Sequence, residues 1–452
     1  MIDWLLNRLA DAGDQTAVAM GSNIATYQNL LDRVGQWERL LAARGIAGRV
    51  VSIEAEYSVD AVAAFLAATN AGNVLVPISN ASHAHRDEFL GVAEVEYRLF
   101  PQRQTDLVMS AGRRASHPYY AALRESGSPG LVLFSSGSTG IHKAAVHDLR
   151  GLLTKFKVPR HCYRTLVFLQ LDHIGGVNTL FYTLSNAGAV VVSEGRTPRQ
   201  VCEAIAAHRV ELLPTSPTFL NLLLLSEEYQ RHDLSSLKLI TYGTEPMPEI
   251  TLRKVHAVFP DVKLLQTYGL SELGILRSQS RESGSLWMRV GGEGFETKIV
   301  DGRLFIRASS AMLGYLNAPN PFDAEGFFDT GDLAEVDGEW LRILGRKSEI
   351  INVGGNKVFP LEVENALLAL SNVEDVAVHG EANPITGQIV VATIRLTDPE
   401  DAGAFKLRMK LFCAGKLASY KVPAKVRFVD TLHSERFKKM RPNGAAVAAG
   451  RA

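Results

Sequence analysis

A stretch of glycine and hydroxyl residues that ends in a lysine, residues 135–143, has the residue types best suited to a chemical task. Glycines let backbone N–H groups approach an anion closely, hydroxyl groups donate further hydrogen bonds, and a lysine adds positive charge. The stretch differs from the common P-loop GxxxxGK[ST], because Gly140 is followed by Ile141 and His142. Apolar residues 131–134 before it predict a buried strand, which argues against a flexible linker. The stretch is therefore predicted to hold phosphate groups.

Three longer motifs further along the chain contain other residues that could bind a nucleotide or a metal ion. They are residues 266–272 (QTYGLSE), residues 326–333 (GFFDTGDL) and residues 345–364, which include the pair Gly354–Gly355. Taken alone, a carboxylate such as Glu272 is more typical of a helix cap or a surface, and Thr-Gly-Asp is typical of a turn. The order of all these motifs along one chain is what makes them informative.

The elements that would position these motifs follow an alternating pattern. Apolar β-rich runs alternate with helical stretches through most of the chain before Gly284, at residues 49–53, 59–70, 73–78, 164–169, 175–186, 189–192, 197–208, 211–213 and 237–241. This alternation predicts βαβ units and a largely parallel sheet. Ligands of such sheets bind beyond the carboxyl ends of the strands, where loops such as residues 135–143 are found.

Beyond Gly284 the pattern changes. Short strands with turn signals, as at residues 298–306, predict a small antiparallel region, and a new βα pattern begins after residues 340–346. We therefore predict an α/β fold with two domains. The large N-terminal domain, residues 1–345, would contain βαβ-type mixed sheets and the antiparallel region, and residues 346–452 would form a smaller α+β domain.

The composition excludes several classes of protein. The 452 residues include 48 Lys+Arg and 48 Asp+Glu, so no basic field exists for nucleic acid or an anionic membrane, and the expected ligand is a small molecule. Three widely spaced cysteines form no CxxC pair, so neither a disulfide framework nor a zinc site is expected from them. Residues 1–8 read as a short amphipathic helix rather than a signal peptide, and no apolar run of about 18 residues predicts a membrane span. A cytoplasmic location is expected.

Taken in order and spacing, the loop and the three motifs resemble those of the adenylate-forming superfamily, and in particular its acyl-CoA synthetase branch. That superfamily also includes luciferases and the adenylation domains of peptide synthetases. The resemblance extends from about Thr26 to the C-terminal segment. It implies the two-domain fold predicted above, with a mobile C-terminal domain, and it implies an AMP-forming acid–thiol ligase.

The resemblance assigns the triphosphate of ATP to the loop and magnesium to the motif at residues 266–272. The phosphate-binding residues would be Ser135, Ser136, Gly137, Ser138, Thr139, Gly140 and Lys143. Glu272 corresponds to the magnesium carboxylate, Thr139 to a further triphosphate and metal contact, and Ser271 to a phosphate or magnesium contact. Magnesium prefers hard oxygen ligands, which fits these residues. The family usually has proline where this chain has His142.

The nucleoside and acyl contacts implied by the resemblance lie in other motifs. Asp332 corresponds to the aspartate that binds both ribose hydroxyls, and Arg346 to the linker arginine that contacts ribose or phosphate. The adenine and the acyl carboxylate would lie against Gly243, Thr244, Glu245, Tyr268 and Gly269. His173 corresponds to a residue that guards the carboxylate pocket and the thiol tunnel.

The remaining implied roles belong to the domain movement. Gly354 and Gly355 would enter the site when the thiol is bound, and the hinge would be Lys347 or Ser348. The lysine that clamps the carboxylate and the α-phosphate corresponds to Lys438 or Lys439, with Lys438 slightly preferred.

The implied reaction has two steps and uses ATP, magnesium and coenzyme A. A carboxylic acid, fatty or otherwise small, would be adenylated with release of pyrophosphate, and its acyl group would then pass to the thiol of coenzyme A. Two alternatives stay open on the sequence alone. The acceptor could be the pantetheine of a carrier protein, or the chain could bind a nucleotide or acyl-adenylate with impaired turnover.

Overall fold

A computed structural model describes residues 1–101, 107–136, 142–292, 294–433 and 439–440 of the chain. Elements are numbered along the chain. The helices are α1 Asp3–Ala12, α2 Tyr27–Ala43, α3 Val59–Asn70, α4 Arg86–Val92, α5 Pro118–Glu125, α6 Leu149–Leu153, α7 Ile174–Ser185, α8 Pro198–His208, α9 Pro217–Ser226, α10 Glu249–Val258, α11 Pro360–Leu368 and α12 Ala402–Cys413. Short 3-10 helices cover Asn80–His85, Thr154–Phe156, Glu228–Gln230, Lys347–Glu349 and Ser419–Lys421.

Local sequence explains where several helices begin. Helix α8 follows Thr197, whose side chain accepts a hydrogen bond from the backbone of Gln200 in a capping box, and Pro198 occupies its first turn. Helix α9 begins in the same way, with Ser216 as its N-cap and Pro217 in its first turn. Capping of this kind satisfies backbone N–H groups that have no partner inside the helix.

Two mixed sheets, each with seven strands among the described residues, form most of the N-terminal part. The first has the order β13-β12-β11-β9-β10-β1-β2 and is parallel except for the edge pair β1–β2. Its strands are β1 Thr16–Met20, β2 Asn23–Thr26, β9 Arg164–Leu166, β10 Ala189–Val192, β11 Leu212–Thr215, β12 Leu239–Tyr242 and β13 Lys263–Gln266.

The second mixed sheet has the order β20-β8-β7-β4-β3-β5-β6, with parallel pairing at its centre and antiparallel pairing at both edges. Its strands are β3 Val50–Glu54, β4 Val74–Ile78, β5 Tyr97–Phe100, β6 Leu107–Ser110, β7 Gly130–Ser136, β8 His142–Asp148 and β20 Gly314–Tyr315. A shared apolar core joins the two sheets, in which α3 and α7 meet through the rings of Phe65 and Phe181, 5.9 Å apart.

An antiparallel sheet and a short hairpin follow. The sheet has the order β16-β17-β22-β21-β19-β18, and the hairpin pairs β14 with β15. These strands are β14 Gly269–Leu270, β15 Gly274–Ile275, β16 Ser278–Ser280, β17 Met288–Val290, β18 Phe295–Val300, β19 Arg303–Ala308, β21 Phe328–Asp337 and β22 Trp340–Arg346.

The last part of the described chain has a sheet and a core of its own. The strands are β23 Ile351–Val353, β24 Asn356–Val358, β25 Val373–Asn383, β26 Gly387–Leu396 and β27 Lys425–Phe428, and α11 and α12 pack their apolar sides against them. The predicted division between residues 345 and 346 falls at the end of β22 and stays a prediction as a domain boundary.

The predicted α/β fold, with mixed sheets, an antiparallel region and a smaller C-terminal part, is confirmed. The elements predicted at residues 59–70 and 189–192 have those bounds in the structure. The strand predicted at residues 164–169 is shorter, because it ends at Leu166 and the chain turns toward the start of α7. In the described ranges, no helix combines the length and the apolar character that crossing a membrane requires.

Candidate active site

The antiparallel pair β7–β8 brackets the predicted phosphate loop. Ser135 pairs with Lys143 and Ser136 with His142, so the two strands return the chain to the place where it left the sheet. Gly137, Ser138, Thr139 and Gly140 lie outside the described residues, and their predicted roles stay predictions. The structure does describe Lys143, the lysine at the end of the loop.

Lys143 and Glu272 are brought together by a tyrosine. The Tyr315 hydroxyl donates to Glu272 Oε1 at 2.6 Å, and Lys143 Nζ lies 5.3 Å from the centre of the Tyr315 ring. Burial, followed by the charge of Glu272, raises the pKa of Tyr315, so the hydroxyl remains a donor. Tyr315 thereby orients the carboxylate predicted to bind magnesium, as outer partners of metal ligands do. Because the Tyr315 hydroxyl binds Oε1, the second carboxylate oxygen of Glu272, Oε2, can act as the ligand of a cation.

A buried histidine, His147, binds the backbone of the segment that contains Ser271 and Glu272. His147 Nε2 donates to the backbone carbonyl of Ser271 at 2.6 Å, and burial lowers the pKa of His147 to about 4. The imidazole is therefore neutral at pH 7. On the other side, the Glu272 carbonyl accepts from the Met312 backbone N–H at 2.7 Å. These two bonds fix the backbone that carries Ser271 and Glu272.

Asp332 lies in a second group of polar side chains. Its Oδ2 accepts a hydrogen bond from the Tyr268 hydroxyl at 2.5 Å, and its Oδ1 lies 3.4 Å from Arg346 Nε. Asp332 and Arg346 face each other across the β21–β22 pair. Burial raises the pKa of Asp332, and the hydrogen bond from Tyr268 and the charge of Arg346 oppose that rise. The carboxylate is thus a largely buried acceptor with a neutral donor and a cation beside it.

The loop after β12 contains Gly243, Thr244 and Glu245 and lies against the strand end at Thr267. A Cβ atom on Gly243 would come within 2.6 Å of Thr267 Oγ1, so a side chain there has no room. Thr244 adopts a φ of 73°, which non-glycine residues seldom occupy. Glu245 Oε1 accepts from the Thr218 backbone N–H at 2.8 Å, in the first turn of α9.

We expect Gly243→Ala to displace this loop from Thr267. Forcing an extra carbon into a packed contact costs about 1–3 kcal/mol of stability. We expect a lower urea midpoint and a higher KM for ATP. Gly284→Ala is the matched control, because a Cβ there would lie at an ordinary 3.5 Å from His256 Cδ2. Equal urea midpoints and equal KM values for ATP in the two variants would contradict the close packing of Gly243 against Thr267.

Lys439 connects the C-terminal part to this loop through its backbone and not through its ammonium group. Its backbone N–H donates to Glu245 Oε2 at 3.1 Å. Its Nζ points into the C-terminal part, 3.1 Å from Asp375 Oδ1 and 2.9 Å from the Val376 carbonyl that accepts its hydrogen bond. Lys438, the other candidate, lies outside the described residues.

His173, Gly354 and Gly355 lie in other elements, at the start of α7 and between β23 and β24. His173 is the N-cap of α7, where its Nδ1 accepts from the Gly175 backbone N–H at 3.0 Å. Gly354 and Gly355, with φ values of 55° and 85°, form the exposed turn between β23 and β24. The candidate hinge residues Lys347 and Ser348 lie in a short 3-10 helix directly after β22. The gating, thiol-step and hinge roles stay predictions.

Comparison with known proteins identifies the family. The profile of the family described as AMP-binding enzyme matches residues 6–316, and that of the AMP-binding enzyme C-terminal domain matches residues 362–439. The chain belongs to the AMP-binding enzyme family. The predicted resemblance to the acyl-activating branch of the adenylate-forming superfamily, and with it the prediction of an AMP-forming acid–thiol ligase, is confirmed.

Individual relatives match this AMP-binding enzyme over nearly its whole length. Indoleacetate–CoA ligase of Aromatoleum aromaticum is 28% identical, with 97% of this chain and 96% of the relative covered. The 4-coumarate–CoA ligase 5 of Oryza sativa subsp. japonica is also 28% identical, with coverages of 95% and 91%. The crystal structure of the anthranilate CoA ligase AuaEII with anthranoyl-AMP has a TM-score of 0.79 at 20% identity, with coverages of 96% and 95%, which shows the shared fold.

The described residues fit the nucleotide and the metal that such an enzyme would use. Glu272 supplies the hard oxygen that magnesium prefers, and Tyr315 contacts both Glu272 and Lys143. Asp332 supplies an acceptor for a diol. Sequence reasoning missed Tyr315 and His147, because each acts on a residue more than forty positions away, and a single sequence carries no signal of such pairing.

Proposed function

We propose that this enzyme uses ATP to convert a carboxylic acid into an acyl-adenylate and pyrophosphate, and then transfers the acyl group to the thiol of coenzyme A. The observation that carries the proposal is the geometry of residues 268–272. At one end Tyr268 binds Asp332, and at the other Glu272 lies in one cluster with Tyr315 and Lys143. The proposed ribose acceptor and the proposed phosphate- and metal-binding group thus contact the two ends of one five-residue segment, which supports a shared site for ATP.

In the first step the substrate carboxylate attacks the α-phosphate, and the bond between the α-phosphate and pyrophosphate breaks. Lys143 would balance charge on the phosphates, and Asp332 would hold the ribose hydroxyls so that the α-phosphate lies in line with the carboxylate. A magnesium ion held by Glu272, with Thr139 as the second proposed protein ligand, would supply further charge neutralisation on the phosphates.

In the second step the thiol attacks the acyl carbonyl, the bond to the adenylate oxygen breaks, and AMP leaves. We propose that residues 346–452 rotate between the two steps about Lys347 or Ser348, so that the turn at Gly354 and Gly355 replaces the lysine segment. Two exposed glycines without side chains suit a slim pantetheine arm. We further propose that His173, at the start of α7, borders the acyl pocket.

The acid is proposed to be a fatty acid or another small carboxylic acid. Aromatic acids should be tested alongside fatty acids, because relatives are named for indoleacetate and 4-coumarate as well as for long-chain fatty acids. Aromatic and unbranched alkyl groups are both apolar and differ mainly in shape, so the acyl pocket would distinguish them by its width.

The decisive experiment measures pyrophosphate release from ATP and magnesium with a panel of short, medium, long-chain and aromatic acids, with and without coenzyme A. We expect release with at least one acid, and formation of AMP and an acyl-thioester when coenzyme A is added. Pyrophosphate release without acyl transfer to coenzyme A would favour a carrier protein as acceptor. ATP binding with no release for any acid would contradict the proposal and favour a binding protein.

Removing the Tyr315 hydroxyl should weaken magnesium binding. We expect Tyr315→Phe to raise the magnesium concentration needed for half-maximal pyrophosphate release by about tenfold, because loss of an outer partner of a metal ligand costs about 10–100-fold in affinity. Tyr229→Phe, at a tyrosine in the short 3-10 helix Glu228–Gln230, is the matched control. An unchanged magnesium dependence in Tyr315→Phe would remove Tyr315 from this role.

A further inference from the structure

Two histidines and a glutamate meet beside the end of the phosphate loop. His85 ends the 3-10 helix Asn80–His85, Glu88 lies in α4, and His142 is the first residue of β8. His85 Nδ1 lies 3.4 Å from Glu88 Oε2, and His142 Nδ1 lies 3.8 Å from Glu88 Oε1. One nitrogen or oxygen from each of the three side chains lies within 4.8 Å of the other two.

The surrounding rings hold two of these side chains in place. The centres of the His85 and His142 rings are 4.3 Å apart, and His142 meets the Phe89 ring edge-on at 5.1 Å. Phe89 in turn stacks on Phe134 of β7 at 3.9 Å. The side chain of His142 is only 19% exposed, whereas those of His85 and Glu88 are 48% and 45% exposed. The cluster therefore has a packed base and an open side through which an ion can enter.

We propose that His85, Glu88 and His142 bind a transition-metal ion of the Zn²⁺ type. Two imidazole nitrogens and one carboxylate oxygen, with water in the fourth position, form a common zinc ligand set. A tetrahedral ion with ligands at about 2.0–2.2 Å holds neighbouring ligand atoms roughly 3.3–3.6 Å apart. The two measured separations end at different oxygens of Glu88, 3.4 Å from His85 Nδ1 to Oε2 and 3.8 Å from His142 Nδ1 to Oε1, and one ligand atom of each side chain lies within 4.8 Å of the other two, so binding one ion would draw the three side chains closer together.

This site differs from the one proposed for magnesium in both chemistry and place. Magnesium and calcium prefer oxygen ligands, and paired imidazoles favour zinc, copper, nickel or cobalt. Successive residues of a strand point to opposite faces. His142 accordingly faces Phe89 of α4, whereas the next residue, Lys143, faces Tyr315. A zinc ion would thus connect α4 to β8 on the face opposite Glu272, and it does not depend on the proposed reaction.

The test titrates Zn²⁺ into the untagged full-length protein, freed of bound metal, in a buffer with excess magnesium, and follows binding by calorimetry. We expect one ion per chain. Each of His85→Gln, Glu88→Gln and His142→Gln should weaken binding by more than tenfold, because loss of an outer-shell partner alone costs about 10–100-fold. Absorption by Co²⁺ bound in place of Zn²⁺ should show the visible bands of a four-coordinate ion and should disappear in the same variants.

His83→Gln is the matched control. His83 lies on the same 3-10 helix, and its Nε2 lies 3.3 Å from Arg86 Nη1 instead of facing the cluster. The control should bind Zn²⁺ as the unchanged protein does. The proposal is overturned if the three ligand variants bind as tightly as the unchanged protein, or if His83→Gln weakens binding as much as they do.

Discussion

Asp332→Asn should lower kcat/KM for ATP by about 10²- to 10⁴-fold, because a hydrogen bond to a charged group contributes about 1.5–3 kcal/mol and the ribose is proposed to make two. The amide replaces one acceptor oxygen with an NH₂ donor. That donor would meet either the Tyr268 hydroxyl, now 2.5 Å from Oδ2, or a ribose hydroxyl. We expect no comparable loss of stability, because the change removes a buried charge and nearly preserves shape. Pyrophosphate release as a function of ATP concentration, together with urea unfolding, measures both effects.

Asp329→Asn provides the control for this change. Asp329 lies on the same strand, three residues before Asp332, and forms an ion pair with Arg303. Its Oδ1 accepts from the Gly331 backbone N–H, and asparagine retains that acceptor. We expect Asp329→Asn to leave the KM for ATP within about twofold, since partly exposed ion pairs contribute about 0–1 kcal/mol. If both variants lose ATP turnover equally, Asp332 has no special role toward the ribose.

The sequence predicts well those parts of the fold that are determined by residues close together in the chain. The helix predicted at residues 197–208 is found because Thr197, Pro198 and Gln200 together specify its start. The antiparallel region is likewise signalled by turns such as Asp301-Gly302, both of which have positive φ. Long motifs of fixed order then identify the family without any knowledge of contacts.

The parts of the site that sequence does not predict have non-local causes. The contact between Tyr268 and Asp332 joins residues 64 positions apart, and the one between Tyr315 and Glu272 joins residues 43 apart. Such pairs depend on how separate sheets dock, which no local pattern encodes. The two adjacent lysines, Lys438 and Lys439, are a further case, because sequence offers both for one role and the contacts of the Lys439 side chain depend on distant residues.

Lys439 lies among carboxylates of the C-terminal part. Its side chain is 9% exposed, that of Glu364 is 1% exposed, and that of Asp375 is 9% exposed. Its Nζ lies 3.9 Å from Glu364 Oε2 and 3.1 Å from Asp375 Oδ1. Two buried carboxylates need a cation nearby, since an unpaired buried charge is costly. Lys439 therefore has a structural task that competes with a role at the α-phosphate, and we propose that Lys438 has that role.

We expect Lys439→Met and Lys438→Met to fail in different ways. Lys439→Met keeps the apolar stem but removes the cation, and breaking a buried ion pair from one side costs about 3–5 kcal/mol. For Lys439→Met we expect the free energy of unfolding to fall by about 3 kcal/mol, which urea unfolding would show as a lower midpoint. Lys438→Met should leave stability unchanged and reduce pyrophosphate release by about 10²- to 10³-fold, the usual effect of removing one preorganised donor to a developing charge.

Lys421→Met is the control that shows whether the stability loss in Lys439→Met comes from the burial of its ion pairs or simply from the loss of an ion pair. Lys421 Nζ lies 2.6 Å from Glu362 Oε1, a closer approach than either of the Lys439 ion pairs, but the Glu362 side chain is 41% exposed. We expect a loss of no more than about 1 kcal/mol, because water solvates a half-exposed carboxylate that has lost its partner. If Lys439→Met instead retains full stability and abolishes pyrophosphate release while Lys438→Met is active, the assignments are reversed. In that case the ammonium group would have to leave Glu364 and Asp375 during adenylation, and the two carboxylates would be protonated or solvated in that state.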